Sequence, residues 1–290
     1  MTDVQPAPVA SEAPPTDPIA QAIQPRRRRM RRARGFWENV LPSVAIMAIL
    51  VAAWEIAVRV LETRPQVLPA PSRVLEQGWA QRITILDHAS ATLQVTLTGF
   101  AVSLAVAWTI AIVIDFSPVL RRGIMPLLVA SQTIPIIAIA PLMIIWFGFG
   151  LLPKMLVVAL VTFFPVVVGL IEGFNKTDRE VTNLLRSMGG GRIKEFLFVR
   201  LPSALPSFFT SLRIAITYAV TGAIFAEYVG AQMGLGIYMS VQKNAFRTDL
   251  VLAAVLVTAV LSISLYLVTF AIERVVIPWS FKERKVRNAR

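Results

Sequence analysis

Residues 151–171 read LLPKMLVVALVTFFPVVVGLI, a run in which Lys154 is the only charged side chain. A helix of about 20 apolar residues crosses the hydrocarbon core of a bilayer, and this run has that length. Five other windows share its character, at 40–61, 93–115, 124–147, 208–228 and 250–272. Charged or Pro/Gly-rich segments separate them, so the chain reads as an all-α membrane protein of about six transmembrane helices. Composition agrees: of 290 residues 56% are hydrophobic and 16% charged, where soluble domains average about 45–50% and about 25%.

The flanks differ from the spans. Residues 1–35 combine six prolines with the run Arg26, Arg27, Arg28, Arg29, Met30, Arg31, Arg32, Ala33, Arg34, and are expected to form a disordered basic tail. A transmembrane domain is expected over 36–278, and a second basic cytoplasmic tail over 279–290. With the N-terminus inside, 21 Lys and Arg fall on the cytoplasmic side and seven outside, a bias that puts both termini in the cytoplasm. No aromatic residues interleave the arginine run, so it suits anionic lipid and not nucleic acid. Absence of cysteine and a single histidine exclude disulfide scaffolds, thiol nucleophiles and zinc, iron–sulfur or multi-histidine metal sites. Gly189, Gly190 and Gly191 lack the Lys-Ser/Thr ending of a phosphate loop, so no cofactor bound by this chain is expected.

Within the spans, Pro135, Pro141 and Pro165 each remove a backbone hydrogen bond where no water replaces it, which suits a packed bundle around a path. Ionisable and polar groups in a bilayer face the bundle interior or a cavity, and Gln132, Thr133, Tyr218 and Glu227 are the candidates for a solute path. Glu55 and Arg59, four apart, are expected to pair, while Asp115 and Glu172 are expected to reach headgroups. His88 is expected to play an interfacial or capping role. Ser72 is expected to cap a short helix carrying Val74, Leu75 and Trp79 on one face, and Gly230, Gly234 and Gly236 around Leu235 suit a compact gate, a docking loop or an ordinary turn.

The segment at about 174–207 is charged yet patterned, and long for a mere connection. Thr177 and Glu180 have the spacing of a capping box. Val181, Leu184, Leu185 and Met188 stand at i, i+3, i+4 and i+7, one apolar stripe of a short helix that Gly189 ends. A second short helix would carry Ile193, Phe196 and Leu197. A helix of this length needs a partner to be stable. Periodicity leaves two partners open, the chain's own bundle or a groove on a cytosolic protein.

Gly189, followed by nine residues and then Val199, Arg200, Leu201 and Pro202, resembles the Gly…Ile/Val-x-Leu-Pro end of the EAA loop of ABC importer permeases. The usual Glu-Ala-Ala opening falls on Asn183, Leu184 and Leu185, where this chain departs from the pattern. The stretch from Leu184 to Gly189 is similar to the variant in nitrate/sulfonate/taurine-type permeases and their relatives for thiamine pyrimidine precursors and riboflavin. Residues 68–72, PIIAIAPLMIIWFGF at 135–149, and 234–236 share that likeness. The resemblance implies a type I importer permease fold with a cytoplasmic coupling helix, in which Val181, Asn183, Leu184, Leu185, Met188, Gly189, Val199, Leu201 and Pro202 serve the ATPase contact. It implies a second copy of the chain, two cytosolic ABC ATPase subunits that use the ATP, and an extracytoplasmic solute-binding protein, in the inner membrane. A secondary transporter or channel driven by an ion gradient is the alternative. It would explain the prolines and membrane charges and leaves the patterned loop without a task. A membrane enzyme would lack catalytic machinery here.

Overall fold

The structure is a computed structural model that describes residues 41–280. The arginine run, the rest of the N-terminal tail and the residues after 280 lie outside the described residues. Every regular element described is helical: α1 (Leu41–Val60), α2 (Pro71–Ala80), α3 (Arg82–Phe116), α4 (Pro118–Ser131), α5 (Ile136–Phe147), α6 (Leu151–Asn175), α7 (Arg179–Ser187), α8 (Arg192–Glu195), a π-helical turn (Phe196–Arg200), α9 (Leu201–Gly230), α10 (Leu235–Asn244) and α11 (Thr248–Val276).

The chain divides into a unit ending at Val60 and a unit from Leu61 onward. In the first, α1 is long and apolar enough to span a bilayer, and Arg59 Nε donates to Glu55 Oε1 at 2.7 Å across one helical turn, the expected pair.

The second unit is built on α6 and α9, which run antiparallel and meet through small residues. Gly173 lies against Ala204, Gly169 against Ser211, and Gly222 against Val158 and Val161. In lipid, where apolar side chains gain little by leaving the solvent, such close backbone approach is what holds helices together. A methyl group added at Gly173 would lie 2.7 Å from Ala204 Cα, whereas one at Gly222 would find its nearest neighbour at 3.6 Å. Helix α3 packs on the same pair, with Gly99 beside Val158 at its middle and Phe116 at its end reaching Phe196, whose ring also meets Phe174. It therefore runs parallel to α6. Two parallel neighbours in one bundle need a connection that returns across it, and α4 and α5 supply it.

That connection corrects the reading of 124–147 as one continuous helix. It is two helices bent by 98°. Helix α4 stops at Ser131, Gln132 and Thr133 form a turn, and Pro135 opens α5 with an extended ψ of 125°. Pro135 has no N–H to continue the ladder, and its ring disfavours helical geometry at Ile134. Pro126, Pro141 and Pro165 remain inside helices. The remaining windows fall within α3, α6, α9 and α11. Helix α3, at 35 residues, is about 52 Å long and so extends beyond the apolar layer.

At the end of the bundle away from residues 176–200, here the far end, α2 lies against α11. Arg73 Nε donates to Asp249 Oδ2 at 3.3 Å and Arg247 Nη2 to Gln77 Oε1 at 2.9 Å. Ser72 is not the cap of α2: Ala70 holds that position and Pro71 opens the helix without a side-chain cap bond. The expected apolar face also divides. Val74 is buried, while Leu75 and Trp79 are exposed and the Arg82 guanidinium stacks on Trp79 at 5.0 Å.

The α6–α9 contact gives a paired test. Gly173→Ala is expected to destabilise the purified protein by about 1–3 kcal/mol, because the nearest obstacle is backbone, and Gly222→Ala is expected to be neutral. Thermal unfolding in detergent reads both; equal midpoints for the two variants would remove the interlock.

Candidate functional site

Helix α6 delivers the chain to a compact loop. Thr177 Oγ1 donates back to the Phe174 carbonyl at 2.9 Å, so it closes α6 and does not cap α7. Asp178 takes the cap, its Oδ1 accepting the Glu180 N–H at 2.8 Å, which corrects the expected capping box by one residue. An aspartate here caps as well as a threonine and adds a charge favourable to the helix N-terminus. At the other end of α7, Gly189 adopts φ 79°, the Gly189 N–H bonds the Arg186 carbonyl at 3.0 Å and the Gly190 N–H bonds the Leu185 carbonyl at 2.9 Å. These two bonds make a Schellman stop, and Gly189 supplies its left-handed residue.

The stop rearranges the expected stripe. Leu185 is half-buried beneath Gly190, where an added methyl would meet its Cγ at 2.7 Å. Val181, Leu184 and Met188 stay exposed, at 47%, 64% and 77% of their full surface. Asn183 is exposed too, and its carbonyl accepts the Ser187 hydroxyl at 3.0 Å. The exposed apolar face of α7 is therefore three residues.

After Gly191 the chain does not form a separate second helix. Helix α8 widens into the π-helical turn and runs straight into α9. The Leu201 N–H reaches back five residues to the Phe196 carbonyl. Pro202 sits in the first turn of α9 with no N–H for the Phe198 carbonyl, and the wide turn gives its ring room. Phe196 is buried between the Phe116 and Phe174 rings, both at 5.5 Å, while Ile193, Leu197 and Phe198 are exposed. Val199, Leu201 and Pro202 are half-buried.

Charges fix the loop from behind. Glu195, 3% exposed, accepts from Arg186 Nε and Nη2 at 3.0 and 2.8 Å on one oxygen, and from Arg200 Nε at 3.0 Å on the other. Arg200 Nη1 also donates to both Asp115 oxygens at 2.7 and 2.9 Å. Asp115 is thus committed to Arg200 and does not turn to headgroups, because the ion pair satisfies it inside the protein. Two guanidinium groups against two carboxylates balance, and α3, α7, α8 and the start of α9 are joined in one chain of bonds. Sequence reasoning missed Glu195 altogether: Arg186 and Glu195 meet only because the chain reverses at Gly189.

The four candidate path residues do not form one group. Gln132 and Thr133 are exposed in the turn at the α4–α5 break, and Thr133 Oγ1 donates to the Ala130 carbonyl at 2.8 Å. Tyr218 is exposed on α9. Glu227 is fully buried at the far end, accepting from Thr92 Oγ1 and the Gly236 N–H, both at 2.9 Å. The Leu235 N–H donates to the same Thr92 hydroxyl at 2.8 Å. Gly234, at φ 131°, packs so tightly on the Glu227 carboxylate that a side chain there would overlap it. His88 adds a bond between Nδ1 and the Gly234 N–H at 3.0 Å. Its ring lies 5.1 Å from Tyr238, whose phenol pKa burial pushes up. The 230–236 glycines thus form an anchored turn that Glu227 staples to α3.

A cavity of about 680 Å³ opens at the far end between the start of α3, the α5–α6 turn and the α9–α10 turn, with Gln94, Phe149, Lys154, Gln232 and Met233 in its wall. Among the described residues no three His, Asp or Glu side chains gather as a metal site would require.

Residues 99–281 match the family described as binding-protein-dependent transport system inner membrane component. The chain is 34% identical to the formylaminopyrimidine transport permease protein of Halalkalibacterium halodurans, over 84% of this chain and 98% of that one. It is 32% identical to the riboflavin transport system permease protein of Chloroflexus aurantiacus, over 89% and 96%, and 29% identical to the taurine transport system permease protein of Escherichia coli K12, over 86% and 94%. Its fold is similar to inward-facing structures of the MetNI methionine ABC transporter, with a TM-score of 0.59 at 16% identity over 68% of this chain and 97% of that one. The family does not favour an ion-gradient-driven carrier. The chain belongs to the binding-protein-dependent transport system inner membrane components, as a multi-pass permease subunit of an ABC importer that leaves ATP hydrolysis to separate subunits.

Proposed function

We propose that two copies of this chain form the pathway of an importer whose cytosolic ATPase subunits grip the 176–200 loop and whose extracytoplasmic binding protein delivers solute at the far end. The Lys and Arg bias puts the loop, and both termini, on the cytoplasmic side. One observation carries the reading: an apolar ridge of Val181, Leu184 and Met188 projects from a helix that an ion-pair chain holds from behind. Apolar ridges of this kind fit grooves on partner proteins. Force applied to the ridge passes through Glu195 and Arg200 to α3 and through the ends of the loop to α6 and α9, so ATP-driven closure of the partners would tilt the bundle.

The solute is inferred to be a small nitrogen heterocycle of the thiamine-precursor or riboflavin kind, ahead of taurine, other sulfonates or nitrate. Identity to the formylaminopyrimidine and riboflavin permeases exceeds that to the taurine permease. The far-end cavity pairs an aromatic ring with two amides and a single cation, which suits a planar hydrogen-bonding molecule better than a small inorganic anion. Ligand identification on the cognate binding protein tests this, and a binding protein that takes only sulfonates would overturn it.

Leu184 and Met188 separate contact from loop folding better than Leu185, which holds the turn beneath Gly190. In the double variant Leu184→Glu/Met188→Glu, co-purification of ATPase subunits should fall at least about tenfold while membrane insertion is unchanged. Undiminished co-purification would refute the grip.

Glu195→Ala is expected to behave differently. It removes the buried carboxylate that Arg186 and Arg200 share, at a cost of about 1–3 kcal/mol to the local structure, because Arg186 is exposed and Arg200 keeps Asp115. ATPase subunits should remain bound, with amide exchange across 178–200 accelerated and ATP hydrolysis no longer producing uptake. Normal uptake would show that the ion-pair chain transmits nothing.

A further inference from the structure

Between the loop and the α3–α4 corner lies a second cavity, of about 620 Å³. Arg121, Arg179, Arg186, Arg192 and Arg200 line it, with Asp115 and Glu195 as its only carboxylates. Both carboxylates are engaged, Glu195 by Arg186 and Arg200 and Asp115 by Arg200. Arg121, Arg179 and Arg192 form no ion pair among the described residues, and Arg192 lies over the Phe116 ring at 6.0 Å. Three positive charges in excess therefore face one concave space, and concave low-dielectric walls concentrate their field.

We propose that this basin binds a phosphate oxyanion, carried by a phospholipid headgroup or free in solution, which pins the loop to the α3–α4 corner. The three arginines come from three elements, α4, α7 and α8, so an anion bridging them would replace mutual repulsion with a crosslink. The guanidinium fork matches phosphate oxygens two at a time, and the Asn175 and Asn183 amides in the same wall offer uncharged donors. On α7 the basin takes Arg179, Thr182, Asn183 and Arg186. At 3.6 residues per turn these lie on the side opposite Val181, Leu184 and Met188. An occupant of the basin thus leaves the apolar ridge free and governs how readily the loop swings, whatever partner or solute the permease serves.

Amide hydrogen exchange over 176–200 in the purified full chain tests the proposal. One arm titrates inorganic phosphate into protein in a maltoside detergent, with chloride at equal ionic strength as control. The other compares nanodiscs of phosphatidylcholine alone with nanodiscs containing phosphatidylglycerol. Exchange should slow about tenfold in at least one arm, the phosphate arm identifying a soluble source and the phosphatidylglycerol arm a lipid one. Arg121→Gln/Arg179→Gln/Arg192→Gln should abolish the protection, whereas Arg122→Gln, outside the basin, should keep it. Should the triple variant fail to fold, the wild-type titrations decide alone. Unchanged exchange in both arms, an equal effect of chloride, or full protection in a folded triple variant would overturn the proposal.

Discussion

Arg200 is held by two carboxylates at once, and the rest of the loop's geometry depends on that grip. A guanidinium group has donors on two edges, so one side chain can face Glu195 with its Nε and Asp115 with its Nη1. Buried ion pairs add little net stability, because desolvation offsets their attraction, but they penalise any geometry that separates them. The segment between two membrane helices is thereby turned from a flexible connection into a part of the bundle. Phe196 reinforces the same joint from the apolar side, wedged between the last turns of α3 and α6.

Satisfying backbone groups in a bilayer explains what the broken span does with its polar residues. The 98° bend interrupts the i→i−4 ladder at the end of α4, where shorter turn bonds and side-chain hydroxyls take over. Ser131 Oγ donates to the Leu128 carbonyl at 2.7 Å and Thr133 Oγ1 to the Ala130 carbonyl at 2.8 Å, closing the end of α4. A hydroxyl in a membrane segment thus has local work before it has any solute to meet. Glu227 carries the same lesson in stronger form. An intramembrane carboxylate signals function on average, and in this one Oε2 is engaged by the Thr92 hydroxyl and the Gly236 amide, while the buried Oε1 has no hydrogen-bond partner among the described residues.

Hydropathy made the spans legible because length and apolarity are properties of a single segment. Bending is not such a property, so 124–147 looked continuous, although Pro135 marked where the helix had to stop. Period 3.6 found α7 and its outward ridge. It also assigned Leu185 to that ridge, where the Gly189–Gly190 pair could have warned that a Schellman stop takes an apolar residue from the last turn as its anchor. Ser72 and Thr177 failed as caps for a common reason. Each has a neighbour better suited to the helix start, Pro71 in one case and Asp178 in the other. The Arg186–Glu195–Arg200–Asp115 chain lay beyond reach, since residues from four elements meet only after the fold has formed.

The stiffness of the bundle is distributed unevenly, and this constrains how it can move. Gly173 locks against Ala204 and Gly99 against Val158, so α6 cannot slide along α9 or α3 without forcing backbone into backbone. Helix α11 is tied to α9 by the ion pair of Arg213 with buried Glu273, and the turn after α9 is stapled to α3 through Glu227. Among the described residues α4 and α5 make no such ion pair or side-chain hydrogen bond to the bundle, and α5 is held by the packing of Ala140 on Val157 and Ala226. The two helices are separated by the turn at 132–135, and glycines with positive φ at 148 and 150 bracket Phe149 where α5 meets α6. Packed cores switch as bodies and do not deform continuously. Under the proposed coupling, a displacement applied at the loop would therefore pass through α3, α6 and α9 and be taken up at the two ends of α5, one of which borders the far-end cavity.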